Sequence, residues 1–306
     1  MKLVRKIRKS LTVNTLRLGF ELARKGDEKT IERIRKILNG FMKAALPLRI
    51  MLKTNIKSTG LSPDDIVDPY FERAVDQMVM LANILQVGLP KSGCLEKFKF
   101  DDSLSILKNV YARGKGVICI APHLSSYPLI GGIISSKIPC VIYLRHNKDS
   151  KKMDITKAIA ESNNQEIIFP PNEGAKSQRL QVAIDALRQG KAMFLTSDTP
   201  KKPHEGVPVQ IFGKTAHFPA GVFVMSLRTG APVVPTWWYW KDDSYHIRFT
   251  EPIELERGGG LQAKAADAVQ LWGKDVDAFL REHPDMWWNW LDKRWAKILR
   301  NGSLSK

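Results

Sequence analysis

Apolar positions in the first part of the chain recur at helical spacing. Val4, Ile7, Leu11, Leu18 and Leu22 form one stripe within residues 2–25. Ile31, Ile34, Leu38, Phe41 and Ala45 form a second over about 28–45. A third helix is expected over about 63–86. It opens on "SPDD", where Ser62 is placed to cap and Pro63 suits the first turn. From about 103 the rhythm changes to short apolar runs alternating with helical segments. "VICIAP", "PCVIYLR", "QEIIFP", "AMFLTSD" and "APVVPTWWYW" read as strands, and "SYHIRFTEPIEL" as an antiparallel one after the turn "KDDS". "SLSILKNVYARGKG", "KKMDITKAIAESNN", "KSQRLQVAIDALRQGK" and "HFPAGVFVMSLRTG" read as the intervening helices, and about 261–300 as a helical C-terminal part. The pattern predicts an α/β fold with a largely parallel central sheet and helices on both faces.

In such sheets chemistry collects at the C-terminal ends of the strands. Four of these ends carry polar candidates: His123, Arg145 with His146, the segment "PPNEG", and Asp198.

Charge changes the picture at the N-terminus. The chain has 48 Lys and Arg against 31 acids, a net of +17. Residues 1–60 hold 16 of those cations and four acids, so +12 of the excess lies there. The chain is therefore expected to divide into a basic amphipathic helical region, 1–60, and an α/β domain, 61–306. The stripe over 2–25 suits a helix lying in a lipid interface. It equally suits a helix docked on the body with its charges solvated. The concentration of charge fits a polyanion: an anionic lipid surface, a nucleic acid or an acidic carrier protein. Nucleic acid is disfavoured, because no aromatics are interleaved with the basic residues and no binding motif is present.

No secretory signal is expected, because the first 25 residues offer no unbroken apolar core, and no membrane-spanning segment, because the most apolar region, 116–144, is broken by His123, Pro128, Lys137 and Pro139. Cys94, Cys119 and Cys140 lack metal-ligand spacing, and Cys119 and Cys140, inside apolar runs, read as buried reduced thiols. The six histidines show no metal pairing, and "ERGGGLQ" lacks the ending of a phosphate loop, so no metal or cofactor is expected.

Four fragments in order, "GKGVICIAPHLSSYP", "VIYLRHNKD", the block from "ALRQGK" to "GAPVVP", and "REHPDMWWNWLDKRW", resemble the bacterial lysophospholipid acyltransferase-like family. Its best-known members are the late acyltransferases of lipid A biosynthesis. The resemblance spans about residues 45–300. It implies transfer of a fatty acyl chain from a thioester, on acyl carrier protein or coenzyme A, to a hydroxyl of a membrane lipid or glycolipid. It also implies a peripheral place at the cytoplasmic face of the inner membrane.

The family motif is a histidine followed, after four residues, by an acid. A hydroxyl is a poor nucleophile, so an imidazole must take its proton, and a carboxylate must orient that imidazole. His123 matches the base, but the acid position is Pro128. Three readings stay open. Another acid orients His123, with Asp198 the best candidate, or Ser125, Ser126 or Tyr127 supplies a weaker polar partner. Alternatively His123 acts alone on an already activated thioester. In the third reading the chain binds lipid or acyl carrier without turnover. "SSYP" also suits a helix start, with Ser126 as cap.

By the same resemblance, Arg145 is placed to clamp a phosphate. "QIFGKTAHFPAG" looks like a loop over the site, shaped by Phe212 and Gly213, with Lys214 free to meet an anion. Ser125, Ser126 and Tyr127 join these as candidate substrate contacts. Trp287, Trp288, Trp290 and Trp295 read either as an interfacial belt or, from their spacing within one helix, as packing beneath the sheet.

Overall fold

The computed structural model describes residues 28–144, 150–163, 165–170, 176–253, 255 and 260–302. The basic stripe over 2–25 lies outside the described residues, as do Arg145, His146 and residues 171–174 of "PPNEG".

Seven strands form one sheet: β1 (Phe98–Phe100), β2 (Val117–Ala121), β3 (Cys140–Tyr143), β4 (Ile167–Ile168), β5 (Ala192–Thr196), β8 (Val233–Lys241) and β9 (Ser244–Phe249). Their order is β1-β9-β8-β2-β5-β3-β4. Every pairing is parallel except β8 with β9. Every residue of β2 is buried, so both faces of the sheet are covered at its centre. The α/β expectation with a mostly parallel sheet is met.

Among the described residues ten α-helices surround the sheet. They are α1 (Glu28–Ala44), α2 (Leu46–Lys57), α3 (Asp64–Val87), α4 (Leu104–Ala112), α5 (Tyr127–Ser135), α6 (Ser150–Ser162), α7 (Lys176–Arg188), α8 (Gly221–Thr229), α9 (Leu261–Glu282) and α10 (Lys293–Asn301). None is long and apolar enough to cross a membrane.

Two tight hairpins show how turn chemistry sets register. The "KDDS" turn joins β8 to β9 with Asp242 at φ 48 and Asp243 at φ 55. Paired positive φ values match the right-handed strand twist that a two-residue hairpin needs. A second hairpin, β6 (Val207–Ile211) and β7 (Lys214–Phe218), lies within the segment read from sequence as a loop and a helix start. Its turn is Phe212 at φ 52 and Gly213 at φ 71. A phenylalanine rarely adopts that conformation. Here its backbone N–H donates to the Asp277 carboxylate and its ring stacks on Trp290 at 5.2 Å.

The C-terminal part is not one continuous helix. It breaks after Glu282, before Pro284, into two 3-10 turns, Pro284–Met286 and Trp288–Leu291, and resumes as α10. Proline disfavours helical backbone in the residue before it, which accounts for the break. The four tryptophans therefore do not share one helix. Trp287, Trp290 and Trp295 are fully buried, and Trp288 is half-buried.

The boundary expected near residue 60 coincides with no gap in packing. Leu52 and Ile56 of α2 are fully buried in the main core, and Asn55 donates to the Trp290 carbonyl at 2.6 Å. By contrast α1 packs more lightly, burying Ile31 against Val75, Val79 and Ala82 of α3.

Candidate active site

Ala121, the last residue of β2, pairs in register with Thr196, the last residue of β5. His123 and Asp198 each lie two residues further on, so adjacent parallel strands deliver them side by side. The Nδ1 atom of His123 is hydrogen-bonded to Oδ1 of Asp198. Pro128, at the position where the family motif carries its acid, lies in the first turn of α5. A carboxylate thus reaches His123 from the neighbouring strand.

Asp198 is fully buried, and the His123 side chain keeps 19% exposure. The second carboxylate oxygen accepts from Trp287 Nε1 at 3.0 Å and Asn289 Nδ2 at 2.9 Å. The backbone carbonyl of Asp198 accepts from Trp295 Nε1 at 2.9 Å. Burial pushes the carboxyl upward, but the attraction of His123 and the hydrogen bonds from His123 and Trp287 outweigh it. The net effect holds Asp198 below the usual aspartate range. An ionised carboxylate only accepts, so Nδ1 carries a proton, and in the neutral imidazole Nε2 presents a lone pair. That is the tautomer a general base needs.

The lowered Asp198 pKa has a signed consequence for stability. Just below the ordinary aspartate value, the unfolded chain takes up a proton that the folded chain refuses. The contribution is therefore complete above about pH 4 and is lost as pH falls through the folded value. Urea midpoints of wild type and Asp198→Asn, measured from pH 6 to 2.5, should converge as acid is added. A gap that stays constant across the series contradicts this account.

The loop after His123 is fixed from several directions. Its carbonyl accepts from the Trp288 N–H at 2.8 Å, and the Ser125 N–H donates to the Met286 carbonyl at 2.6 Å. Trp238 Nε1 donates to the Ser125 carbonyl, and the Ser126 N–H donates to Gln77 Oε1, each at 2.6 Å. These bonds hold Ser126 in the left-handed region at φ 65. Ser126 occupies the position before α5, but its side chain makes no capping bond, contrary to expectation.

The other sequence candidates fall at different distances from the imidazole. Ser125 and Ser126 are buried, and the Ser125 hydroxyl donates inward to the Arg73 carbonyl at 3.2 Å. Their contribution is to the loop's backbone, not to a surface offered to substrate. Tyr127 meets the His123 ring edge-on at 4.9 Å and lies 6.4 Å from Trp288, forming an aromatic wall beside the imidazole. Burial, and then the Asp198 charge, push its phenol upward. Phe212 is buried and packs on Trp287 at 5.7 Å, so it supports the indole that holds Asp198 and does not cover the site as a loop. Gly213 completes that turn, and Lys214 is half-exposed at the start of β7.

The sequence reading missed two groups of functional position. Trp287 and Trp295, whose spacing reads as packing or belt, and Asn289, which the sequence pattern does not mark, all donate to Asp198. Thr196 was passed over as a strand residue, although its hydroxyl lies 3.0 Å from Nε2 of His123. Its place two residues before the acid, at the same strand end, is the signal that was available.

The architecture is that of an α/β protein with a histidine–aspartate pair at the C-terminal edge of a parallel sheet. The chain belongs to the bacterial lipid A biosynthesis acyltransferase family, whose model matches residues 58–297. Membership supports acyltransferase activity in general. No curated relative matches the chain.

Proposed function

We propose that the protein moves a fatty acyl chain from an acyl thioester, carried on acyl carrier protein or coenzyme A, to a hydroxyl of a membrane lipid or glycolipid. The observation that supports this most is the Asp198 carboxylate on Nδ1 of a partly exposed imidazole. His123 Nε2 accepts the proton of an attacking hydroxyl, and Asp198 stabilises the imidazolium that results. The thiol then leaves with the proton returned from Nε2. Retention of a fully hydrogen-bonded dyad speaks against a binding protein without turnover.

The test follows release of thiol from decanoyl-coenzyme A with a hydroxylated lipid acceptor, for wild type and His123→Ala. Equal inertness of both with several acyl donors would return the chain to the non-catalytic reading.

We place the protein peripherally on anionic lipid at the cytoplasmic face of the inner membrane. Ile37 and Phe41, one turn apart on α1, are 69% and 61% exposed; Leu46 and Ile50, one turn apart on α2, are 64% and 63% exposed. Lys36, Lys43 and Lys53 are exposed on the same two helices. Apolar side chains supply burial in the interface, and each nearby cation adds about 1 kcal/mol on an anionic surface. The double variant Ile37→Asp/Phe41→Asp should bind phosphatidylglycerol vesicles at least tenfold more weakly in flotation. Undiminished flotation argues against this face.

A further inference from the structure

The sequence motif accounts for a base and an orienting acid, but the structure adds a third group. Thr196 Oγ1 stands 3.0 Å from Nε2, the nitrogen a base uses. In the neutral imidazole, with Nδ1–H committed to Asp198, Nε2 accepts and the threonine hydroxyl donates. A hydroxyl, an imidazole and a buried carboxylate in this sequence of contacts meet the geometric requirement for an activated nucleophile: hydroxyl within reach of the base, and base oriented by a third group. The rest of β5 is buried, and Thr196 is its first residue to reach solvent. In a single displacement the lipid hydroxyl has to dislodge Thr196 from Nε2 before it can be deprotonated.

Resting on the acyltransferase reading above, we infer that Thr196 is the primary acyl acceptor and that transfer passes through an acyl-threonine ester. In the first half, Thr196 Oγ attacks the thioester carbonyl carbon and its proton passes to His123 Nε2. The C–O bond forms, the C–S bond breaks, and the departing thiolate takes the proton from Nε2. In the second half, the lipid hydroxyl gives its proton to Nε2 and its oxygen attacks the acyl-threonine carbonyl. The bond to Thr196 Oγ breaks, and that oxygen recovers the proton. Water in place of the lipid releases free fatty acid by the same steps.

Decanoyl-coenzyme A alone, without acceptor, provides the test. Wild type should release coenzyme A in a burst stoichiometric with protein, and acid quenching should show one acyl group on the peptide bearing Thr196. It should also exchange labelled coenzyme A into decanoyl-coenzyme A, because the first half is reversible. Thr196→Val, nearly isosteric, should fall to the level of His123→Ala in transfer and lose both burst and exchange. Thr196→Ser should keep transfer within about tenfold of wild type and keep the adduct, which a purely structural threonine would not require. Absence of both adduct and exchange in a wild type that performs transfer overturns the nucleophile, whatever the rate of the valine variant. So does an adduct on another residue. A wild type that consumes no more thioester than His123→Ala overturns the acyltransferase reading as well.

Discussion

Exchanging His123 for alanine should slow acyl transfer by ~10⁴-fold, and Asp198→Asn should slow it by ~10³–10⁴. These losses correspond to about 4–5 kcal/mol of barrier. The first removes the atom that takes the proton. The second leaves that atom present but releases the tautomer, because a carboxamide in place of the carboxylate can turn its NH₂ toward Nδ1 and move the ring proton to Nε2. It also removes the negative charge that stabilises the imidazolium. Asp198 is fully buried, so asparagine preserves shape, and circular dichroism together with a urea midpoint separates chemistry from folding. Single-turnover rates with decanoyl-coenzyme A measure both variants. An Asp198→Asn rate within tenfold of wild type would mean that His123 acts without its carboxylate.

The largest effect on stability is expected at Trp295. Its indole is fully buried between Phe218, at 6.0 Å, and Trp287, at 4.8 Å, and it donates to the Asp198 carbonyl. Trp295→Ala removes that packing and leaves a void that close-packed neighbours fill only partly, at a loss of about 3–5 kcal/mol. Trp295→Phe retains most of the ring but leaves a buried carbonyl without its donor, at about 1–3 kcal/mol. The two values, read from urea denaturation, should therefore differ. Equal losses would show that the hydrogen bond, not the packed volume, carries the indole's contribution.

The sheet was legible because each of its longer strands is an apolar run bounded by turn residues, and because β2 and β5 end on polar residues that stand out against those runs. His123 and Asp198 were both visible on that ground. Their contact was not, since adjacency of β2 and β5 depends on strand order, which local pattern does not encode. The hairpin β6–β7 was hidden because its turn places a phenylalanine, not glycine or asparagine, at the first positive-φ position. The break in the C-terminal part was signalled by Pro284, yet the tryptophans around it were read at helical spacing. Their indole N–H groups matter here as much as their hydrophobicity. Trp287 and Trp295 each direct that single donor to Asp198, a use that side-chain polarity scales do not suggest.

The acid stands 75 residues from the base in the chain, and its donors stand about 90 residues further on. No stretch emerging early from the ribosome therefore contains a competent centre. In the proposed reaction, thioester cleavage has to wait until the segment through Trp295 has been synthesised and docked on Asp198.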